Sequence, residues 1–368
     1  MTKIQMVDLK GQYLDIKEDI DRAINSVIET SSFINGPSVK EFASNLSAWN
    51  ESNFVIPCAN GTDGLQIAMM ALGIKPGDEV IVPAFTYIAT VEVIALLGIK
   101  PVFVDVNPNT FNIEADEVRA AITDKTKAIV PVHLYGQCVD MDPIIQLANE
   151  YDLFIIEDLA QAIGSRYKGK KAGNLGHVGV TSFFPSKNLG CYGDGGALIT
   201  NDESLADKIK MIANHGQSKK YYHDSIGVNS RLDTLQAAIL IEKLKKLDNY
   251  LAKRQAAAQV YDENLKVISD QIRIPARTEY SSHVYHQYTL KVINDRDKLK
   301  QFLADAGIPS MIYYPLPIPK QKAYCHYTDL AFKNSDLLSK QVLSIPMHTH
   351  LKSEEQSFIC ETIKSFYS

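Results

Sequence analysis

Short, continuous apolar runs alternate along this chain with segments in which apolar residues recur at helical spacing. The runs Phe54–Pro57, Glu79–Val82, Pro101–Asp105, Ala128–Val132, Leu153–Glu157, Val178–Phe183 and Ala197–Thr200 show little polar alternation, as expected of strands covered on both sheet faces. Helical periods fall between them at Asp63–Leu72, Ile88–Leu97, Glu114–Ile122, Met141–Glu150 and Leu205–Ala213. This alternation predicts an α/β fold, a sheet sandwiched by helices. From Arg231 one long amphipathic stretch places Leu232, Leu235, Ile239, Leu244, Leu247 and Leu251 on a stripe. It predicts a helix leading out of a large domain that spans 1–250. A strand at Gln287–Val292, a helix at Asp297–Ala306, a strand at Ser310–Tyr314 and a terminal helix from Ser353 predict a smaller α+β domain, 251–368.

Composition narrows the partners. The 368 residues exceed what one core usually holds, and 45% hydrophobic with 22% charged residues excludes a disordered chain. Lys and Arg number 38 against 43 Asp and Glu, and no basic block is longer than Lys219-Lys220 or Lys245-Lys246, so nucleic acid is not an expected partner. The most apolar stretch, Val80 to Val106, is cut by Pro83, Glu92, Gly98, Lys100 and Pro101 and reads as buried core rather than a membrane span. Met1 to Asp8 lacks the apolar core and small residues of a secretory signal, so a cytoplasmic protein is expected. Cys58, Cys138, Cys191, Cys325 and Cys360 stand far apart without a CxxC. They fit neither a disulfide framework nor a zinc site and read as small buried hydrophobes, and no metal is expected.

Four segments carry candidate chemistry. Asn60-Gly61-Thr62-Asp63 joins a strand to a helix, and such a turn either offers its free N–H groups to a phosphate or is an ordinary N-cap by Thr62 or Asp63. Glu157-Asp158 closes an apolar strand, which puts a carboxylate at the carboxyl end of the sheet, where open α/β folds bind ligands; the alternative is a helix cap. Gln161 lies three residues on, within reach of the same side. Lys187 follows Ser182-Phe183-Phe184-Pro185-Ser186, so it is either a solvated surface charge or a partly desolvated amine suited to a Schiff base. The Gly190–Gly196 segment after it lacks the spacing of a P-loop or a dinucleotide fingerprint and reads as a tight turn.

Taken in order, Asn60–Asp63, Phe85-Thr86-Tyr87, Glu157–Gln161, Ser182–Lys187, Gly193–Gly196 and Asn229-Ser230-Arg231-Leu232-Asp233 resemble the DegT/DnrJ/EryC1/StrS family of pyridoxal-phosphate sugar aminotransferases. The resemblance covers nearly the whole chain. It implies the fold type I architecture of PLP-dependent transferases, with a large mixed-sheet domain and a small C-terminal one. It implies that Lys187 bonds the cofactor and shuttles the proton, that Asp158 pairs with the ring nitrogen, that Gln161 bonds the ring hydroxyl and that Tyr87 stacks on the ring. Gly61, Thr62 and Ser182 would hold the phosphate, with Asn229 completing the cradle from the other subunit of a homodimer. His215, Arg231, Tyr313 and Tyr314 match positions that line the nucleotide-sugar region, and L-glutamate would be the amino donor. Ser182–Lys187, Cys191–Asp194 and Gly227–Gln236 look most like the branch that aminates a UDP-linked 3-keto-uronic acid for surface polysaccharide such as lipopolysaccharide O-antigen. The chain departs from the family pattern His-Tyr-Pro at Tyr313-Tyr314-Pro315. A dTDP- or UDP-linked 3- or 4-keto-6-deoxyhexose is the rival substrate, and a regulator without catalysis the rival class.

Overall fold

The computed structural model describes residues 4–368; the first three, part of the stretch read above for a secretory signal, lie outside it. Seven strands form the large sheet: β1 (Phe54–Cys58), β2 (Glu79–Pro83), β3 (Lys100–Val104), β4 (Thr126–Ile129), β5 (Phe154–Asp158), β8 (Val178–Ser182) and β9 (Gly196–Thr200). Two-residue strands β6 (Arg166–Tyr167) and β7 (Lys170–Lys171) make a small hairpin between β5 and β8. The order across the large sheet is β1-β9-β8-β5-β4-β2-β3. Neighbours from β8 to β3 run parallel, while β9 is antiparallel to both β8 and β1. Pro57 and Pro101 sit on the edge strands β1 and β3, where a missing N–H costs no ladder bond.

Strand neighbours diverge to opposite faces. Val55, Ile81, Ile155 and Ile199 enter one core, whereas Ile56, Val80, Ile156 and Leu198 enter the other. Helix Pro37–Asn50 supplies Phe42 and Leu46 to the first, and helix Gly61–Ala71 supplies Leu65, Ile67 and Ala68 to the second. Burial on both sides explains why these strands read as continuous apolar runs.

Several expectations change. The stripe from Arg231 is two helices, Thr234–Leu244 and Leu247–Leu265, interrupted at Lys245-Lys246. The second joins two cores: Leu247 and Leu251 pack in the first, Ala258, Tyr261 and Leu265 in a third cluster with Tyr288, Leu290 and Leu343. That third cluster backs a sheet of β12 (Ile272–Arg273), β13 (Tyr288–Val292) and β14 (Val342–Ile345), which follows a short hairpin of β10 (Gln217–Lys219) and β11 (Tyr222–His223). The expected strand at Ser310–Tyr314 is only one bridge, Met311 to Ser344. The chain leaves β14 there because it must carry Tyr313 and Tyr314 into the cleft described below. Helices Leu9–Asp15, Lys17–Thr30 and Pro37–Asn50 precede β1 and had not been anticipated. Four cysteines are buried as expected, but Cys325 is exposed, in the loop before helix Lys333–Gln341.

Candidate active site

The carboxyl ends of β1, β2, β5 and β8 converge on one cleft of about 630 Å³, the place where open α/β sheets bind ligands. Gly61, Thr62, Tyr87, Asp158, Gln161, Ser182, Lys187, Tyr313 and Tyr314 all line it. Sequence reasoning therefore assembled one wall-to-wall set. Three candidates are elsewhere: Asn229 and His215 are exposed and Arg231 is half-buried, none of them lining this chain's own cleft. Asn229 bridges Asn214 beside the β10–β11 hairpin instead.

At the start of helix Gly61–Ala71 the cap is Asn60, whose side chain accepts from Asp63 N at 2.8 Å. Neither Thr62 nor Asp63 plays that part. The first two N–H groups, of Gly61 and Thr62, have no partner among the described residues and open toward the cleft. Glycine suits the close approach here, because a Cβ at Gly61 would lie 3.0 Å from the Ser182 Cβ and press on it. A Cβ at Gly196 would lie 2.5 Å from the Asn60 carbonyl carbon, so β9 also needs its glycine to reach this turn.

Adjacent carboxylates on β5 take opposite roles because neighbouring strand residues face opposite ways. Glu157, fully buried, accepts from Gly173, Leu175 and Gly176 N–H at 2.7–2.8 Å and from His133 at 3.0 Å. Val139 N–H donates to His133 Nδ1, so that nitrogen carries no proton and Nε2–H donates to Glu157. Asp158 faces the cleft, with Oδ1 accepting from Ala160 N at 3.1 Å and Oδ2 from Thr90 Oγ1 at 2.8 Å.

Lys187 leaves β8 through a turn in which its N–H donates to the Phe184 carbonyl at 2.8 Å. A Cβ at Gly190 would lie 2.4 Å from Pro185 O, so this turn closes only on glycine. Burial lowers the Lys187 amine to about 8, opposed by the Asp158 charge. Gln161 accepts from Tyr135 N at 2.8 Å and donates to the Tyr314 hydroxyl at 3.1 Å. Burial raises the Tyr314 phenol, which stays protonated.

Sequence reasoning missed Thr86, Thr90, Tyr135 and His286. Thr86 and His286 line the cleft, and Thr86 Oγ1 and His286 Nδ1 are buried with no hydrogen-bond partner. Burial, and then the Lys187 charge, push His286 well below the ordinary imidazole value. Thr86 stands in the Phe85-Thr86-Tyr87 motif beside Tyr87, whereas no local signal marks Thr90, Tyr135 or His286, which meet the site from segments distant in sequence. The groups present fit pyridoxal phosphate: free N–H donors and a serine hydroxyl for an anion, a carboxylate for a protonated ring nitrogen, an amine of lowered basicity for the aldehyde carbon, and unpaired buried polar atoms in the walls.

A mixed sheet with one antiparallel strand and this donor set define a pyridoxal-phosphate-dependent transferase of fold type I. The family described as DegT/DnrJ/EryC1/StrS aminotransferases matches residues 14–364. A Pseudomonas aeruginosa protein named UDP-2-acetamido-2-deoxy-3-oxo-D-glucuronate aminotransferase is 48% identical over 98% of this chain and 99% of its own length. A Geobacillus stearothermophilus protein named Pleiotropic regulatory protein is 45% identical over 99% of this chain and 98% of its own. The crystal structure of NtdA from Bacillus subtilis with bound cofactor PMP matches with a TM-score of 0.92 at 35% identity, covering 99% of this chain and 85% of that one. The chain belongs to the DegT/DnrJ/EryC1/StrS aminotransferase family.

Proposed function

We propose that this aminotransferase moves an amino group from L-glutamate to the 3-keto carbon of UDP-2-acetamido-2-deoxy-3-oxo-glucuronate, in the cytoplasm, for surface polysaccharide such as O-antigen. The observation that carries the reaction type is the meeting of Lys187, Asp158 and the Gly61–Thr62–Ser182 donors in one cleft. The sugar is taken from the named activity of the Pseudomonas aeruginosa relative.

When bound, pyridoxal phosphate supplies an electron sink for charge developing at the amine-bearing carbon. Lys187 would bond it and afterwards hold the migrating proton at Nζ; an amine lowered to about 8 both accepts and returns a proton near neutrality. Asp158 would pair with the ring nitrogen, and Gln161 would offer its remaining Nε2 hydrogen to the ring hydroxyl. Tyr87, exposed at the cleft wall, would cover the ring face. Gly61, Thr62 and Ser182 would hold the phosphate. Tyr313 and Tyr314 line the sugar end. Asn229, His215 and Arg231 serve the cleft of a second subunit in a homodimer, Asn229 at the phosphate and Arg231 against the sugar carboxylate or diphosphate.

The name of the Geobacillus stearothermophilus relative favours a second reading, a regulator that holds the cofactor without turnover. Absorbance of the purified protein at the cofactor band separates the readings. Bleaching by L-glutamate and return with the UDP-3-keto-uronate is the expected result. Bleaching without return points to another keto-sugar, such as a 3- or 4-keto-6-deoxyhexose; no bleaching with any amino acid points to the regulator.

A further inference from the structure

Thr90 is the second residue of helix Ala89–Leu96 and has no solvent exposure. It does not line the cleft. A helical threonine ordinarily satisfies its hydroxyl on the carbonyl one turn back. Thr90 instead donates to Asp158 Oδ2 at 2.8 Å, across 68 positions of sequence. The other oxygen, Oδ1, takes the Ala160 N–H at 3.1 Å. Two donors thus hold both oxygens of a carboxylate that lines the cleft, each oxygen keeping further acceptor capacity.

We propose that Thr90 is the positioning residue that keeps Asp158 aimed at the cleft, and thereby keeps the ring nitrogen of the bound cofactor protonated. The proposal rests on the reading that Asp158 faces that nitrogen. The two donors fix the carboxylate in one rotamer, so that it meets the ring nitrogen. Without the hydroxyl, the carboxylate loses one of its two internal donors and its side chain is freed to rotate away from the ring. Backbone at Ala160 cannot be varied by substitution, so Thr90 is the side-chain donor to this carboxylate, among the described residues, that a substitution can remove.

The test loads the protein with pyridoxal phosphate labelled with 15N in the ring and reads the ring nitrogen by NMR, whose shift separates a protonated from a bare nitrogen. Cofactor affinity and the melting temperature of the cofactor-free protein are read alongside. The wild type and Thr90→Ser should show a protonated nitrogen. Thr90→Val should move the shift toward the bare value and weaken cofactor binding several-fold; Thr90→Ala, which avoids the second methyl, serves where the valine variant fails to fold. Asp158→Asn should give a bare nitrogen. A protonated nitrogen in Asp158→Asn overturns the reading of Asp158 and the proposal with it. A bare nitrogen in Asp158→Asn beside a wild-type shift and affinity in Thr90→Val and Thr90→Ala overturns the role of Thr90 alone.

Discussion

The backbone N–H of Tyr135 donates to Gln161 Oε1 at 2.8 Å, and this bond decides which end of the Gln161 amide meets Tyr314. With Oε1 committed, Nε2 donates to the Tyr314 hydroxyl. Tyr135 adopts a left-handed φ of 58°, and its own hydroxyl donates to the Tyr313 carbonyl. One strained residue thus ties the Tyr313-Tyr314 segment to the end of β5.

Tyr314→Phe removes the acceptor for Gln161 and leaves a buried N–H unpaired. Cofactor binding should weaken by roughly two- to tenfold, the equivalent of about 0.5–1.5 kcal/mol. Adding Gln161→Ala should cost less than the sum of the two single changes. Strict additivity in this double-mutant cycle, read as cofactor dissociation constants, would count against the coupling.

Lys187 penalises the cofactor-free fold, because its amine falls from the ordinary 10.5 to about 8 on burial. Between these values the unfolded chain binds the extra proton, so stability rises with pH across that window and the penalty is complete below it. Lys187→Met should therefore be more stable than the cofactor-free wild type at pH 7, by on the order of 3 kcal/mol, and the gap should close above pH 10.5. Denaturant titrations at several pH values measure it. Capture of pyridoxal phosphate by the wild type should likewise accelerate as pH rises through about 8.

Glu157 accepts four hydrogen bonds and donates none. Glu157→Gln, although isosteric, must turn an NH2 group toward N–H donors whichever way the amide lies. Two bonds are lost and a donor meets donors, so stability should fall by roughly 2–5 kcal/mol. An unchanged urea midpoint would refute this account of the Gly173–Gly176 loop.

Mixed dimers test whether Asn229 serves a second subunit. Lys187→Ala and Asn229→Ala should each be nearly inactive. Random mixing of the two should restore about a quarter of the sites if each cleft takes Asn229 from its neighbour. Mixtures that stay inactive would place Asn229 within its own subunit's site, and full activity of Asn229→Ala by itself would place it outside any site.

Arg231→Ala should raise KM for the uronate by about 10- to 100-fold, the range of a charge-assisted hydrogen bond. A neutral keto-deoxysugar should be affected far less. Equal loss on both substrates would remove Arg231 from carboxylate recognition.

Sequence by itself determined the layered sheet, because residues buried on both faces must form unbroken apolar runs, as Val80-Ile81-Val82 does. It also determined the ends of those runs, and these carry the cleft residues Gly61, Tyr87, Asp158, Ser182 and Lys187. Although the resemblance singled out Asp158 of the Glu157-Asp158 pair, only tertiary structure showed that Glu157 is the structural anchor, since that depends on which face of β5 meets the Gly173–Gly176 loop. It alone decided that Lys245-Lys246 breaks a helix whose hydrophobic stripe continues without a gap. Thr90, Tyr135 and His286 were invisible beforehand for the same reason. Thr90 and Tyr135 bond partners tens of residues away, and His286 enters the cleft from a segment distant in sequence with its Nδ1 unpartnered; such meetings follow from how strands and helices are brought together rather than from any local spacing of residue types.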